Sequence, residues 1–293
     1  MSWETDDAEI EASRAPLLSH LVELRQRLIV CIAVLAVSFG ICFAFSQDIY
    51  IFLLHPFEVA GGLLAEQKAT SGRHGPFDMI LTVLGLMPPP PAAPLKMVFT
   101  APLEFFFTKV KLAGIASLVL AFPVIAWQLY GFVAPGLYKR ERAAFLPFLI
   151  ASPFLFILGA ALVYYVMLPF VLWFSLNQEI LNAGNVSVEL LPKVSDYLTL
   201  ATTLLLAFGL CFQLPVILAL LGLAELVNAR MLAAGRRYAI VGVFAVAAVL
   251  APPDPFSMIA LAVPVCLLYE ASIWCVRLIE LQRGKREAAD AQS

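Results

Sequence analysis

Charged residues are scarce in this 293-residue sequence, and their scarcity excludes an ordinary soluble protein. Only 14% of the residues are Asp, Glu, Lys or Arg, whereas 61% are hydrophobic, and the mean hydropathy is +0.89. Soluble domains carry about 25% charged residues. A helix crosses a bilayer with about 20 consecutive apolar residues, and the sequence contains several such runs. The composition therefore predicts a multi-pass membrane protein.

Cysteine and histidine are also few. The five cysteines lie in or at the ends of apolar runs and form no CxxC pair, so they are typical of small buried hydrophobic residues rather than of a disulfide framework. The topology given below places His20, His55 and His74 on two sides of the membrane. We therefore expect no metal site and no cofactor.

The motifs of the common enzyme classes are missing from the sequence. There is no HExxH, GxSxG, Walker loop or GxGxxG, and no dense basic patch interleaved with aromatic residues suggests nucleic-acid binding. An ion-coupled transporter would place acidic residues in its spans. The predicted spans of this sequence contain almost none, and Glu270 is the exception. Pairing of Glu270 with Arg277, or with a polar group on a neighbouring helix, explains it as well as a functional role does. We predict that the protein is not an enzyme.

Six apolar stretches are long enough to be considered as spans. They cover residues 28–45, 112–133, 143–174, 196–223, 238–250 and 256–276. Lysine and arginine cluster before the first stretch, after the second, after the fourth and after the last, which indicates that both termini are cytoplasmic. The fifth stretch would be only about 20 Å long as a helix. The fold class is therefore predicted to be all-α, with six spans, N-in/C-in topology and a short final hairpin.

The remaining segments complete a single domain over residues 1–293. Residues 1–16 are predicted to be a mobile N-terminal tail, and residues 277–293 a cytoplasmic tail. Residues 46–109 contain Pro56 and several further prolines and glycines. They are predicted to form a periplasmic cap of short helices and extended pieces, one of them at 95–100. Thr100 and Glu104 are typical of a helix start.

The segment 132–142 separates the second and third spans. Pro135 and Gly136 end the preceding helix, and Lys139, Arg140 and Arg142 surround Glu141. Two interpretations of Glu141 remain open. It either pairs with a neighbouring cation at a solvated helix start, or it accepts a cationic partner from outside the chain. Glu23 lies four residues before Arg27 and presents the same choice.

Two further positions carry polar groups near prolines. The stretch 196–223 is predicted to be interrupted at Gln213 and Pro215. Pro215 leaves the carbonyl of residue 211 without its helical donor, so the nearby Gln213 either satisfies that carbonyl or faces outward as a hydrogen-bonding handle for another helix. Asp254 is well placed to cap the last span, because Pro255 then occupies the first helical position.

Five motifs in this order resemble the TatC family, the receptor subunits of the twin-arginine protein translocase. The motifs are Ser19–Arg27 (SHLVELRQR), Thr100–Glu104 (TAPLE), Phe132–Arg142 (FVAPGLYKRER), Phe208–Pro215 (FGLCFQLP) and Leu250–Ser257 (LAPPDPFS). The resemblance covers nearly the whole chain.

The resemblance implies a function in the cell inner membrane. TatC proteins bind the twin-arginine signal peptides of folded precursors and act with TatA and TatB, driven by the proton motive force. The implied fold is a concave, glove-like bundle, and the implied partners are TatA, TatB, signal peptides, lipid and further copies of the chain in a receptor complex. The implied signal-peptide site contains Glu23, Glu141, Arg25, Phe132 and Arg142. From the residues themselves we predict that a partner helix docks at Gln213 and Pro215, since Gln213 is an amide in apolar surroundings, and that Pro56, Pro135 and Asp254 are structural.

Two features depart from the family pattern. Gln213 stands where many members carry a glutamate, and residues 61–94 are longer and richer in proline than expected. The alternative function is a small-solute transporter or channel. That class would show internal repeats or paired broken helices, and the sequence shows neither.

Overall fold

The computed structural model describes residues 3–70, 76–88, 97–98, 101–133, 142–176, 180–183, 186–188, 193–250 and 255–290. Within these residues the protein is almost entirely helical. The helices are α1 (Trp3–Ala44), α2 (Ser46–Thr70), α3 (Pro76–Val83), α4 (Glu104–Val133), α5 (Arg142–Leu162), α6 (Leu168–Leu176), α7 (Val194–Cys211), α8 (Leu214–Leu223), α9 (Ala229–Leu250) and α10 (Pro255–Asp290). A π-helical turn, Val163–Met167, joins α5 to α6.

Six stretches of the described residues are long and apolar enough to cross a membrane, which confirms the predicted number of spans. They are Leu21–Ala44, Glu104–Phe132, Pro147–Ser175, Val194–Leu223, Ala229–Val249 and Met258–Gly284. The third span consists of α5, the π turn and α6. The fourth consists of α7 and α8, which are interrupted at Phe212 and Gln213 as the sequence predicts.

Several helices are longer than their apolar stretches. α9 begins at Ala229 and has 22 residues, and α10 has 36, so both helices extend beyond the apolar stretches 238–250 and 256–276. Arg230, Arg236 and Arg237 lie in the first turns of α9 rather than in a loop. Hydropathy detects only the apolar part of a helix. The backbone hydrogen bonds of the helix can continue into the charged residues on either side.

The predicted tails and cap also contain more helix than the sequence indicates. α1 includes most of the segment 1–16, and α10 includes most of 277–293; the mobility of the N-terminal tail stays a prediction. In the cap, α2 has 25 residues and is longer than the predicted short helices. The second span begins at Glu104, so the last residues of the predicted cap belong to α4.

One helix of the cap, α2, has a proline inside it and accepts hydrogen bonds from two tyrosines. Pro56 lies buried inside α2 and leaves the carbonyl of Phe52 without its helical donor. The hydroxyl of Tyr164, in the π turn, donates to that carbonyl at 2.9 Å, and the hydroxyl of Tyr197, in α7, donates to the carbonyl of Leu53 at 2.6 Å. These contacts join α2 to the third and fourth spans within the largest buried cluster.

Short extended pieces lie between the third and fourth spans. β1 (Ile180–Ala183) and β2 (Val186–Val188) form an antiparallel hairpin. Val98 forms an isolated parallel bridge with Lys193, and Val98 is the described residue nearest the middle of the predicted extended piece 95–100. The Glu104 carboxylate accepts hydrogen bonds from Ser195 and from the backbone N–H of Ala101, so the start of α4 is tied to the start of α7.

Candidate functional site

Glu23 and Arg27 lie one helical turn apart on α1, and their side chains are paired. Arg27 donates to Oε1 of Glu23 from Nε at 3.0 Å and from Nη2 at 2.7 Å. The side chain of Glu23 is 36% exposed and that of Arg27 is 26% exposed. The structure therefore shows the local pairing of Glu23 that the sequence leaves open. Among the described side chains, none donates a hydrogen bond to Oε2.

Arg27 also joins α1 to the end of α4. Its Nη1 donates to the backbone carbonyl of Gln128 at 3.4 Å and to Oε1 of the same residue at 3.3 Å. A Cβ atom at Gly131 would lie 3.0 Å from Cζ of Arg27 and 3.2 Å from Nη2, and closer still to Nη1. A side chain at 131 would therefore require the guanidinium to move from this position against α4.

The other predicted signal-peptide residues lie at the same ends of the helices. Arg25 is exposed on α1, and Phe132 is half-buried in the last turn of α4, one residue after Gly131. Glu141 and Pro135 lie outside the described residues, and only the backbone of Arg142 is described, as the first residue of α5. α5 packs against α4. The structure therefore brings Glu23 to the end of α4, from which the segment carrying Glu141 continues.

Gln213 lies inside the chain, between the third and fourth spans. Its side chain is 6% exposed. Oε1 accepts a hydrogen bond from Oγ of Ser152 at 2.7 Å, and Nε2 donates to the backbone carbonyl of Ser152 at 2.9 Å. The carbonyl of residue 211 is not its partner, so the hypothesis of local repair is wrong. Pro215 is buried in the first turn of α8.

Three functional contacts were not predicted from the sequence: Gln128, Gly131 and Ser152. Gln128 carried a usable signal, because it is the only amide between Leu112 and Val133, and an amide in a span needs a partner. Gly131 and Ser152 carried none, because small residues are common throughout membrane spans. Ser152 also interacts with Tyr130 of α4, so it connects the second, third and fourth spans.

The final hairpin is joined by ion pairs and helix caps. Glu270 pairs with Arg236 of α9 at 2.7 Å, so the partner of Glu270 is on a neighbouring helix rather than Arg277. The carboxylate of Glu280 accepts from the backbone N–H of Ala229 at 2.7 Å, and Glu225 pairs with Arg283. Asp254 lies outside the described residues, and Pro255 begins α10.

Comparisons with known proteins give a consistent result. The family model described as "Sec-independent protein translocase protein (TatC)" matches residues 19–264. The chain is 39% identical to TatC of Magnetococcus marinus over 94% of this chain and 89% of that protein. It is 33% identical to TatC of Escherichia coli K12, over 93% and 92% of the two chains. A crystal structure of the twin-arginine translocase receptor TatC aligns with a TM-score of 0.66 and 31% identity, covering 88% of this chain and 98% of that one.

Proposed function

This chain belongs to the TatC family of Sec-independent protein translocase proteins, and we propose that it is the receptor that binds twin-arginine signal peptides at Glu23 and Glu141. It is a multi-pass protein of the inner membrane and functions in twin-arginine protein translocation. The alternative of a small-solute transporter is not supported. We further propose that it acts as a receptor rather than as an enzyme, and that the proton motive force drives transport of the folded precursor.

The observation that supports this proposal best is the position of Glu23. Its carboxylate is 36% exposed and is paired with Arg27, which bonds to Gln128 near the end of α4, and the segment carrying Glu141 continues from that end. One of its oxygens already accepts two N–H groups of a guanidinium. The site therefore has the chemistry to bind arginine, and the second oxygen offers further acceptor positions.

Two carboxylates suit a pair of arginines better than a pair of lysines. Arginine presents a planar fork that binds a carboxylate through two hydrogen bonds, whereas lysine presents a single charged group. A charge-assisted hydrogen bond contributes about 1.5–3 kcal/mol, against about 0–1 kcal/mol for an exposed ion pair. We propose that Arg25, Phe132 and Arg142 line the same surface. Phe132 would contact the apolar part of the peptide.

The first prediction is that Glu23→Ala and Glu141→Ala each weaken binding of a twin-arginine peptide by about ten- to a hundredfold, the equivalent of one such hydrogen bond. The measurement is fluorescence anisotropy of a labelled peptide with the protein in nanodiscs. Glu58→Ala is the matched control, because Glu58 is an exposed glutamate of α2. Wild-type affinity in both variants and in the double variant would show that the recognition role is wrong.

The orientation and the membrane partners are also proposals. The arginine clusters favour an arrangement in which both termini face the cytoplasm and residues 46–103 face the periplasm. We propose that TatA and TatB bind as single-span partners, and that copies of the chain assemble in one receptor complex. The fourth span around Gln213 and Pro215 is the proposed docking site. Because the Gln213 amide is bonded to Ser152, its part in docking is to fix the α7–α8 break on which the partner helix packs.

A further inference from the structure

The guanidinium of Arg27 occupies the carboxylate that the signal peptide is proposed to use. Both of its contacts, from Nε and Nη2, go to the single oxygen Oε1 of Glu23. The pair is neutral as a whole, so it attracts a cationic peptide much less than a lone carboxylate does. An arriving arginine must therefore compete with an arginine that is already in place.

Arg27 is already bonded to a second set of acceptors, which it keeps when it leaves Glu23. The backbone carbonyl and the side-chain oxygen of Gln128 both lie within 3.4 Å of Nη1. The bare backbone of Gly131 leaves space for the guanidinium at that end of α4. Release of Glu23 therefore does not strand an unpaired cation, because α4 continues to bind it.

We propose that Arg27, Glu23 and Gln128 form a latch that closes the receptor until a signal peptide displaces Arg27 from Glu23 and leaves it bonded to α4 alone. This inference rests on the proposed role of Glu23 in peptide recognition. A peptide binds only the open form, so the apparent dissociation constant is the intrinsic one divided by the open fraction. Removing the latch then tightens binding of every peptide that uses Glu23 by the same factor.

The test measures the affinity of a twin-arginine and a twin-lysine peptide for wild type, Arg27→Ala and Arg27→Lys in nanodiscs at constant salt. Arg27→Ala is expected to tighten binding of both peptides by about two- to fivefold, the range for partly exposed ion pairs. Arg27→Lys retains the charge but cannot bond through two nitrogens, so it is expected to tighten both as well. Unchanged or weaker binding to Arg27→Ala overturns the latch, since a positioning role for Arg27 predicts loss. Tighter binding to Arg27→Ala but not to Arg27→Lys also overturns the latch, because the loss of one positive charge would explain that result.

A second pair of variants, both on α4, tests the latch without changing Glu23 or Arg27. Gly131→Ala takes away the space in which the guanidinium lies after its release from Glu23, so it is expected to lower the open fraction and to weaken binding. Gly114→Ala on the same helix is the matched control, because a Cβ there meets nothing within 4 Å. The deciding quantity is the effect of Gly131→Ala with Arg27 present minus its effect in Arg27→Ala, which removes any general damage to packing. A weakening in this difference supports the latch, and a zero or opposite difference overturns it.

Glu23→Ala in the same series separates the two proposals. If it weakens binding and the Arg27 variants do not tighten it, only the latch is wrong. If it leaves binding unchanged, the recognition role itself is wrong.

Discussion

At the scale of single residues, the clearest relation between sequence and structure is the one between Pro56 and Tyr164. The proline removes a backbone donor from α2, and the tyrosine of another helix supplies a hydroxyl to the carbonyl left over. The ring of Tyr164 also stacks on Phe52, with centroids 4.3 Å apart. The hydroxyl and the ring therefore make separate contributions to the packing of the cap on the third span.

We predict that Tyr164→Phe lowers the free energy of unfolding by about 0.5–1.5 kcal/mol, because it removes the hydrogen bond to a part-buried carbonyl but keeps the ring. In a Pro56→Ala background the loss should be much smaller, since residue 56 then donates to Phe52 itself. Unfolding in mild detergent measures both values.

Tyr165→Phe is the control for this pair. Its hydroxyl makes no hydrogen bond to a described residue, although its ring packs against Tyr164 at 4.9 Å. An equal loss from Tyr164→Phe in both backgrounds would show that the hydroxyl does not compensate for the proline.

At the scale of helices, the sequence predicts where the chain crosses the membrane better than where helices begin and end. The break at Gln213 was predicted because Pro215 cannot donate. The start of α9 was missed because Arg230, Arg236 and Arg237 make the segment too polar to be counted in an apolar stretch. Arginine is nevertheless a good helix former. The site was predicted in part. The pairing of Glu23 with Arg27 follows from helical spacing, but the contact of Arg27 with Gln128 joins residues 101 positions apart, which no local pattern contains.

The docking proposal makes a prediction for the fourth span. Photo-crosslinkers at Leu210 and Ile217, two exposed residues on either side of the α7–α8 break, should capture TatA or TatB. Gln213→Leu should reduce that capture, because it removes both hydrogen bonds that hold the break against Ser152. A crosslinker at the exposed Val246 of α9 is the control. Capture from Val246 equal to that from Leu210 would contradict a specific docking face.

At the scale of the whole molecule, the distribution of arginine predicts the orientation. In a chain whose native cysteines are replaced by serine, Leu226→Cys, in the loop between α8 and α9, should react with an impermeant maleimide only from the cytoplasmic side. Leu86→Cys, after α3, should react only from the periplasmic side. Both residues are exposed. Leu267→Cys is the control, because it is exposed in the middle of the last span and should remain unlabelled from either side. The reverse pattern at positions 226 and 86 would reject the topology.

The π turn in the third span has a consequence for insertions and deletions. A π turn holds one residue more than an α turn, because its hydrogen bonds run from i to i+5. One residue deleted within Val163–Met167 is therefore absorbed by an ordinary α turn, whereas a deletion elsewhere in the span rotates the remainder by about 100°. We expect the deletion within Val163–Met167 to move the Tyr164 hydroxyl away from the Phe52 carbonyl, so it should destabilise the protein less in a chain that also lacks Pro56.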